Sequence, residues 1–372
     1  MKTFMLKLFC FMLIVSTMLF ISTACKNEDD SNNNNDNAVS QGLEFERSSD
    51  YTGYAVAGIG DCFDTKIIIP STYNDKPVVE IKEEAFKGYY LTSITIPESV
   101  ITIGEEAFSS CYKLVEVVNK SPYITVTKGS DSNGCLGYYA LSVSNCDDSY
   151  ISKVSTDSNG FVIYTNGNDK ILVNYIGTNT NITIPSDITE INENAFRNCF
   201  NLTSVTIGNS VTSIGDKAFS DCPIETATIP TIAIKAIKNN SLKTVTLTGG
   251  TSIGDWAFNY CDSLTNVVIP DSVTSIGYSA FRDCNNLTSI TIGNSVISIG
   301  DSAFYSCDNL TRVTIGNIVT SIGDSAFSLC NNLTSITYNG TKSEWNSISK
   351  GRCWNFFVPA TYVTCADGTV NI

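Results

Sequence analysis

Histidine is absent from all 372 residues of the chain. Its absence excludes Ser-His-Asp and Cys-His catalysis, imidazole metal ligands and histidine-based pH switching. Carboxylate or lysine chemistry stays open in principle. The composition therefore disfavours an enzyme but does not exclude one.

Positive charge is also scarce, because 23 Lys and Arg stand against 37 Asp and Glu, for a formal net charge of −14. A nucleic-acid-binding protein needs a basic stripe, and an acidic body is not attracted to anionic lipid. The sequence therefore predicts neither partner. Apolar residues make up 42% of the chain and charged residues only 16%, so a core can form.

The first 24 residues have the pattern of a secretory signal peptide. Lys2 and Lys7 form a short basic region, and the nearly all-apolar stretch 8–21 is followed by small residues up to Ala24. A retained membrane helix is the alternative, but it needs about 20 apolar residues. This stretch is too short for that, so export is predicted.

Cys25 directly follows the small residues, an arrangement that resembles the lipobox of bacterial lipoproteins. The resemblance implies that Cys25 carries a lipid and anchors the exported protein at the outer surface of a membrane. Ordinary cleavage near Ala24, which would leave a soluble secreted protein, is the alternative. Residues 26–41 are polar, acidic and Asn-rich, so 25–41 is predicted to be a lipid-attachment site and flexible tether.

Internal repetition is the strongest signal in the chain. The segments VVIPDSVTSIGYSAFRDCNNLTS, ITIGNSVISIGDSAFYSCDNLTR and VTIGNIVTSIGDSAFSLCNNLTS follow one another with a period of 23 residues. The unit from Ala227 is degenerate, having lost its Ala-Phe pair and its Cys. The nine recognisable units begin at Ile67, Ile94, Ile182, Val205, Ala227, Val245, Val267, Ile290 and Val313.

Each part of a unit predicts a local structure. Ile290 and Ile292 alternate with polar residues, as a strand with one buried face requires. Asp301 is predicted to be the N-cap of a short helical turn that carries Phe304. One unit cannot bury its apolar face alone, so the units must stack. The aromatic core positions that recur with the period are Phe258, Phe281, Phe304 and Phe327.

The motif I-G-D-x-A-F-x-x-C-x-x-L-T-S-I-T-I-P resembles the BspA-like leucine-rich repeat family of bacterial surface proteins. The resemblance covers most of residues 42–372. It implies a leucine-rich-repeat solenoid, β-dominated with short helical turns, wound as a right-handed curved superhelix of 23-residue units. It also implies adhesion, with a host matrix protein, a host cell or another bacterial surface as the macromolecular ligand.

The domain organisation follows from these features. We predict a signal peptide, a lipid-attachment Cys with its tether, an N-terminal cap, repeats 1–2, an irregular insertion of decayed repeats with a hairpin, repeats 3–9 and a C-terminal cap. The corresponding ranges are 1–24, 25–41, 42–66, 67–116, 117–181, 182–335 and 336–372.

The cysteines fall into two groups. Those that recur with the repeat, Cys261, Cys284, Cys307 and Cys330, are predicted to be buried thiols, because a free Cys behaves as a small hydrophobe. Cys353 continues the same regular step. No C-x-x-C pair occurs, so no metal site is predicted. The disulfide candidates lie in the irregular segment and near the C-terminus: Cys135, Cys146, Cys353 and Cys365.

Residues 117–181 interrupt the period. Residues 161–175 predict a hairpin that turns at Asn166-Gly167. One interpretation is a pair of decayed repeats plus an insertion that continues the stack; the other is an excursion that contacts a ligand. The residues that would suit recognition are Tyr123, Tyr138, Tyr139 and Tyr150.

A surface-binding solenoid is the leading functional hypothesis, with no catalytic residue and no cofactor. Stacked units create extended binding surfaces. The alternatives are a solenoid enzyme that acts on carbohydrate, which would need a convergent carboxylate or Lys/Arg cluster, and an ice-binding array of threonines. The candidate ligand-binding face comprises the exposed strand positions Ser289, Thr291, Arg312, Thr314, Ser335 and Thr337.

Overall fold

Successive repeat units stack, and each strand pairs in parallel with the equivalent strand of the next unit. The computed structural model describes residues 38–147 and 149–372. Residues 39–372 form one unit, in which short strands dominate. This architecture is a β-solenoid and confirms the predicted fold class. The predicted signal peptide, Cys25 and most of the tether lie outside the described residues.

The first array of stacked units carries two parallel sheets. β3, β6, β8 and β9 form one, and β2, β5 and β7 form the other, with β1 and β4 added antiparallel. The strands are β1 (Glu44–Arg47), β2 (Tyr54–Gly58), β3 (Lys66–Ile68), β4 (Thr72–Tyr73), β5 (Lys76–Ile81), β6 (Ser93–Ile96), β7 (Thr102–Ile103), β8 (Glu116–Asn119) and β9 (Ser142–Asn145).

The second array begins with three strands in antiparallel order, β10 (Val154–Thr156), β11 (Phe161–Asn166) and β12 (Asp169–Tyr175). The remaining strands are β13 (Asn181–Thr183), β14 (Glu190–Ile191), β15 (Ser204–Thr206), β16 (Ser213–Ile214), β17 (Thr226–Pro230), β18 (Thr244–Gly249), β19 (Ser252–Ile253), β20 (Asn266–Val268), β21 (Ser275–Ile276), β22 (Ser289–Ile292), β23 (Ser298–Ile299), β24 (Arg312–Ile315), β25 (Ser321–Ile322), β26 (Ser335–Tyr338), β27 (Ser349–Lys350), β28 (Tyr362–Cys365) and β29 (Gly368–Asn371).

These strands form four sheets. Their orders are β10-β11-β12-β14-β16, β13-β15-β17-β18-β20, β19-β21-β23-β25-β27 and β22-β24-β26-β28-β29. The described helices are short: α1 (Ser132–Cys135), in which three residues have a positive φ, the 3-10 helix η1 (Thr231–Ala233), α2 (Ile234–Ile237) and α3 (Lys342–Ser347). Thr341 and Glu344 form a capping box at the start of α3.

The core contains a column of stacked phenylalanine rings. Phe281, Phe304 and Phe327 stack with ring centroids 5.1 Å apart and nearly parallel planes, and Phe258 stacks on Phe281 at the same spacing. All four are almost completely buried. The spacing matches the separation of neighbouring parallel strands, about 4.8 Å. Each repeat unit therefore contributes one ring to a continuous aromatic column.

The repeat cysteines form a second buried column. The Cys307 thiol donates to the Phe281 carbonyl at 3.1 Å, and Cys330 donates to the Phe304 carbonyl at 3.0 Å. Cys284 makes the equivalent contact with Phe258. Each thiol thus donates to a backbone carbonyl of the preceding unit. A small donor at this position links the units while it fills the core.

Asp301 does not cap a helix, so that prediction is wrong. Residues 301–306 form turns in which Ser302 and Ser306 adopt left-handed φ values of 53° and 59°, and these values interrupt helical geometry. The backbone N–H of Phe304 therefore bonds to Ala326 of the next unit at 2.7 Å. The Asp301 carboxylate accepts from the backbone N–H of Asp324 at 2.8 Å. Asp301 therefore links two neighbouring units through a hydrogen bond.

Cys353 does not continue the cysteine column. Ser321 pairs with Ser349, so the last unit is longer than the regular units, and it includes α3. The added length shifts the register. Cys353 is exposed, with a left-handed φ of 54°, while Trp354 enters the core and packs edge-on against Phe327.

Much of the irregular segment continues the stack. β9 pairs in parallel with β8, and Val117 aligns with Val143 in the following turn of the chain. Residues 117–145 therefore add one more turn to the first array. The hairpin predicted over 161–175 is formed by β11 and β12, and β12 then pairs with β14 to start the second array.

Candidate binding surface

The strand face, which we define as the exposed side of β22, β24 and β26, carries two straight rows of side chains. Ser289 aligns with Arg312 and Ser335, while Thr291 aligns with Thr314 and Thr337. Alternate residues of these strands are buried, so the pleat turns both rows toward solvent. The structure therefore brings all six residues of the predicted face together.

Arg312 is the one charged side chain in these rows. It is exposed, and no ion pair or hydrogen bond involves its guanidinium within residues 38–147 and 149–372. Serines flank it in both neighbouring strands. A guanidinium offers five donors in a planar fork. Arg312 is thus free to bind a carboxylate or carbonyl of a ligand.

Two open depressions of about 440 Å³ each lie on the strand face. Ser289 and Thr291 line both of them. Arg312 and Thr314 contribute to one, and Asn294 and Asn339, which are hydrogen-bonded at 3.1 Å, contribute to the other. The two depressions offer hydroxyl and amide groups, the carboxylate of Asp271 and the guanidinium of Arg312. Such a surface is suited to binding a polar ligand.

The equivalent face of the first array is partly covered. Glu116 on β8 is fully buried, and its carboxylate accepts from Ser93 at 2.7 Å, Tyr150 at 2.9 Å and Ser152 at 2.8 Å. It also accepts from the backbone N–H of Lys153 at 2.7 Å. The segment 150–153 is therefore held against this face, which leaves the open strand face in the second array.

The four tyrosines proposed for recognition do not form one surface. Tyr123 and Tyr138 are 67% and 51% exposed, and Tyr139 packs edge-on against Tyr138 at 4.8 Å. Burial raises the pKa of Tyr139 to about 12. Tyr150 bonds to Glu116 and Ser142, so it supports the fold. Only Tyr123 and the Tyr138–Tyr139 pair offer ring surface to a partner.

No disulfide joins the four candidate cysteines, which are all free thiols within the described residues. The Cys146 thiol instead points to the Ser121 carbonyl at 3.4 Å. Cys365 is buried on β28, whereas Cys353 lies exposed on the shifted last unit.

A buried lysine at the junction of the two arrays is not predicted by the repeat pattern. The Lys113 ammonium donates to Asn174 Oδ1 at 2.6 Å and to the Ala195 carbonyl at 3.3 Å, and it lies over the Tyr90 ring. Burial lowers its pKa to about 8. A signal is present in the sequence, because Lys113 stands where the regular units carry Asn, as at Asn286.

Neither a metal-binding cluster nor a membrane-spanning helix is found in the described part of the chain. No group of three or more Cys, Asp or Glu side chains there could hold a metal ion. No helix there is long and apolar enough to cross a membrane.

Comparisons with known proteins agree with this architecture. The model of a family described as BspA type leucine rich repeat region matches in six copies, over residues 60–135, 173–250 and 251–358. No curated protein matches the sequence.

Several solved structures are similar to the chain. A leucine-rich repeat protein from Bacteroides ovatus is 21% identical and has a TM-score of 0.38; the match covers 88% of this chain and 99% of that one. A leucine rich cell surface protein from Faecalibacterium prausnitzii is 20% identical, with coverages of 84% and 97% and a TM-score of 0.29. The Leucine Rich Repeat protein of T. pallidum is 24% identical, with coverages of 55% and 89% and a TM-score of 0.36.

Proposed function

This chain belongs to the BspA-type leucine-rich repeat family, and from that premise we propose that it is an exported, adhesin-like binding protein. Its partner in this proposal is a macromolecule: a host matrix protein, a host cell or another bacterial surface. The observation that carries the proposal is the strand face, where rows of hydroxyl groups flank the unpaired Arg312.

The chemistry of the strand face favours a protein ligand. Stacked repeats supply a long surface with regular spacing, which suits an extended macromolecule. Arg is enriched at protein interfaces and at their energetic hot spots. Ser289, Thr291 and Thr314 are short groups that let a partner approach the sheet closely around Arg312.

The binding test compares the full-length protein with face variants on purified extracellular-matrix proteins and on host cells. We expect Arg312→Glu and Thr291→Glu each to weaken binding by about tenfold or more. Thr320→Glu is the matched control, because Thr320 is an exposed threonine outside the strand face. Equal binding by all four proteins, or no binding by the wild type, would refute the proposal.

Tyr123 and Tyr138 provide the second region to test. The double variant Tyr123→Ser/Tyr138→Ser removes the most exposed rings of the irregular segment. If this variant loses binding while Arg312→Glu keeps it, the ligand site lies in residues 117–181 and the strand face is wrong.

We also propose that the protein is a surface lipoprotein attached through Cys25. The sequence of residues 1–25 supports this proposal, and the polar, acidic composition of residues 26–41 is typical of a tether. Metabolic labelling with a palmitate analogue should mark the wild type and not Cys25→Ser. Unlabelled wild-type protein found in the medium would favour the secreted alternative.

A further inference from the structure

Cys199 and Cys222 form a cysteine pair that is separate from the column of buried cysteines. They occupy equivalent positions of two neighbouring units, three residues after Phe196 and Phe219, whose rings stack with centroids 4.6 Å apart. The degenerate unit that follows has lost its cysteine, so the pair is set apart from Cys261 and the thiols beyond it. Neighbouring units are about 4.8 Å apart, which is within the range of Cα separations that a disulfide spans.

Hydrogen bonds hold the two cysteines together. The Phe196 carbonyl accepts from the Cys199 N–H at 3.1 Å and from the Cys222 thiol at 3.0 Å. Beside them, the Asn198 N–H donates to the Ser220 carbonyl at 3.0 Å. The two thiols also hydrogen-bond to each other. The two sulfur atoms therefore lie next to each other, between two units.

The two thiols differ in their exposure. Cys199 is partly exposed, whereas Cys222 is buried. In the column of buried cysteines, by contrast, Cys284, Cys307 and Cys330 are all fully buried. A reagent in solution can therefore reach Cys199 in the folded protein, while Cys222 is shielded from it.

A buried cation lies beside the pair. The Lys113 ammonium donates to the Ala195 carbonyl at 3.3 Å, and Ala195 directly precedes Phe196, whose carbonyl accepts from the Cys222 thiol. The hydrogen bond from Cys222 and the charge of Lys113 lower the pKa of Cys199. The same hydrogen bond and burial raise the pKa of Cys222. Cys199 is therefore the better nucleophile of the two.

We propose that Cys199 and Cys222, assisted by Lys113, are a redox pair that a small-molecule disulfide oxidises to an intramolecular disulfide. The Cys199 thiolate attacks one sulfur of the oxidant, so that a mixed disulfide forms and one thiolate is released. The Cys222 sulfur then attacks Cys199 and expels the second half of the oxidant, which leaves with the Cys222 proton. Two cysteines thus lose two electrons, and one small disulfide is reduced to two thiols.

The disulfide ties the start of the second array together. It links the units that begin at Ile182 and Val205, next to Lys113 of the first array. Closing the chain between residues 199 and 222 restricts the unfolded state and so stabilises the fold. Disulfides form and persist in oxidising compartments outside the cytosol. The inference rests on the export proposed above only for this setting, because the reaction itself is testable with the purified protein.

Incubation of the reduced, full-length protein with oxidised glutathione tests the pair. Trypsin cuts after Arg197 and Lys217, so the two cysteines fall in different peptides that a disulfide joins. After the remaining thiols are blocked with iodoacetamide, we expect mass spectrometry to detect the linked peptides from the wild type. Cys222→Ser should instead carry one glutathione on Cys199, because the second attack is lost.

Cys307 and Cys330 are the matched control pair. They have the same spacing and also hydrogen-bond to each other, but both are fully buried. We expect them to stay reduced in the folded protein under the same conditions. The proposal is overturned if both pairs oxidise at equal rates, or if Cys199 and Cys222 stay reduced while exposed Cys146 takes up glutathione.

Lys113→Met tests the contribution of the ammonium, because the pKa of Cys199 rises without it. A rise that cuts the thiolate about tenfold also makes the thiolate about threefold more nucleophilic, so oxidation should be about threefold slower at neutral pH. The pH at which the rate is half-maximal should also rise. The other titratable groups near the pair are the same in wild type and variant: Arg197, Tyr175 and Asp221.

Lys350→Met is the control for this variant. Lys350 is a half-buried lysine of the last unit that donates to the Trp345 and Ile348 carbonyls at 2.6 and 3.1 Å. Its substitution should leave the oxidation rate and its pH profile at the wild-type values. An unchanged rate and pH profile in Lys113→Met would overturn the assistance by Lys113.

Discussion

Phe304→Ala tests the aromatic column that holds the repeat units together. Phe304 is fully buried and stacks on Phe281 and Phe327, one unit away on either side. The substitution removes the ring and both stacking contacts. It leaves a gap in the middle of the largest core cluster, which extends from Phe161 to Cys365.

The size of the effect depends on how far the surroundings can close the gap. Phe-to-Ala substitutions in cores cost about 3–5 kcal/mol. The backbone around Phe304 is held by hydrogen bonds between units, 2.7 Å to the Ala326 carbonyl and 2.8 Å from Ser302 to the Asp324 carbonyl. These bonds resist collapse. We therefore expect a loss of about 4–5 kcal/mol in the free energy of unfolding.

Two further variants separate volume from stacking. Phe304→Leu keeps most of the volume and loses the aromatic contacts, so it should cost about 1.5 kcal/mol. Phe357→Ala is the control, because Phe357 is 65% exposed, and its cost should stay within about 0.5 kcal/mol. Urea denaturation followed by circular dichroism gives all three values. A loss for Phe304→Ala no larger than that of Phe357→Ala would refute the stacked column.

Three other residues give predictions of their own. Burial lowers the folded-state pKa of Lys113 to about 8, so the unfolded chain binds more protons between about pH 8 and 10.5. Between these pH values the free energy of unfolding of the wild type should rise by about 3 kcal/mol relative to that of Lys113→Met, as measured by urea denaturation at each pH. An equal pH dependence of the two free energies would exclude a buried ammonium. Burial raises the pKa of Cys307 well above its usual value, so iodoacetamide should label exposed Cys146 in the folded protein and label Cys307 only after unfolding, as read by mass spectrometry. Asp301→Ala should lower the free energy of unfolding by about 1 kcal/mol, because it removes one hydrogen bond between units. An unchanged midpoint in urea denaturation would contradict this role of Asp301.

The regular part of the fold could be predicted because each unit repeats the same buried pattern. Phe258, Phe281 and Phe304 recur once in each repeat unit, so the sequence predicts that their rings stack on one another. A shift between neighbouring units would expose the rings to solvent. Alternation along β22 likewise gives the side of the sheet on which Ser289 and Thr291 lie.

The departures from the pattern could not be read from a single period. Asp is a common N-cap, so the sequence predicts that a helix starts at Asp301. In the structure Ser302 has a left-handed φ, which goes with the hydrogen bonds between stacked units and not with a helix. Counting one regular period from Cys330 places Cys353 in the core, and the greater length of the last unit is visible only through the pairing of Ser321 with Ser349. The burial of Lys113 escapes prediction because its partner Asn174 lies 61 residues away in the chain.

Hydrogen–deuterium exchange of the full-length protein, alone and bound to the matrix protein or cell-surface extract that it retains, tests the binding face most directly. Protection on binding should concentrate in the peptides that contain β22, β24 and β26, with Arg312 at the centre. Protection confined to the outer turns or to residues 117–181, with the strand face exchanging as in the free protein, would contradict the proposed function.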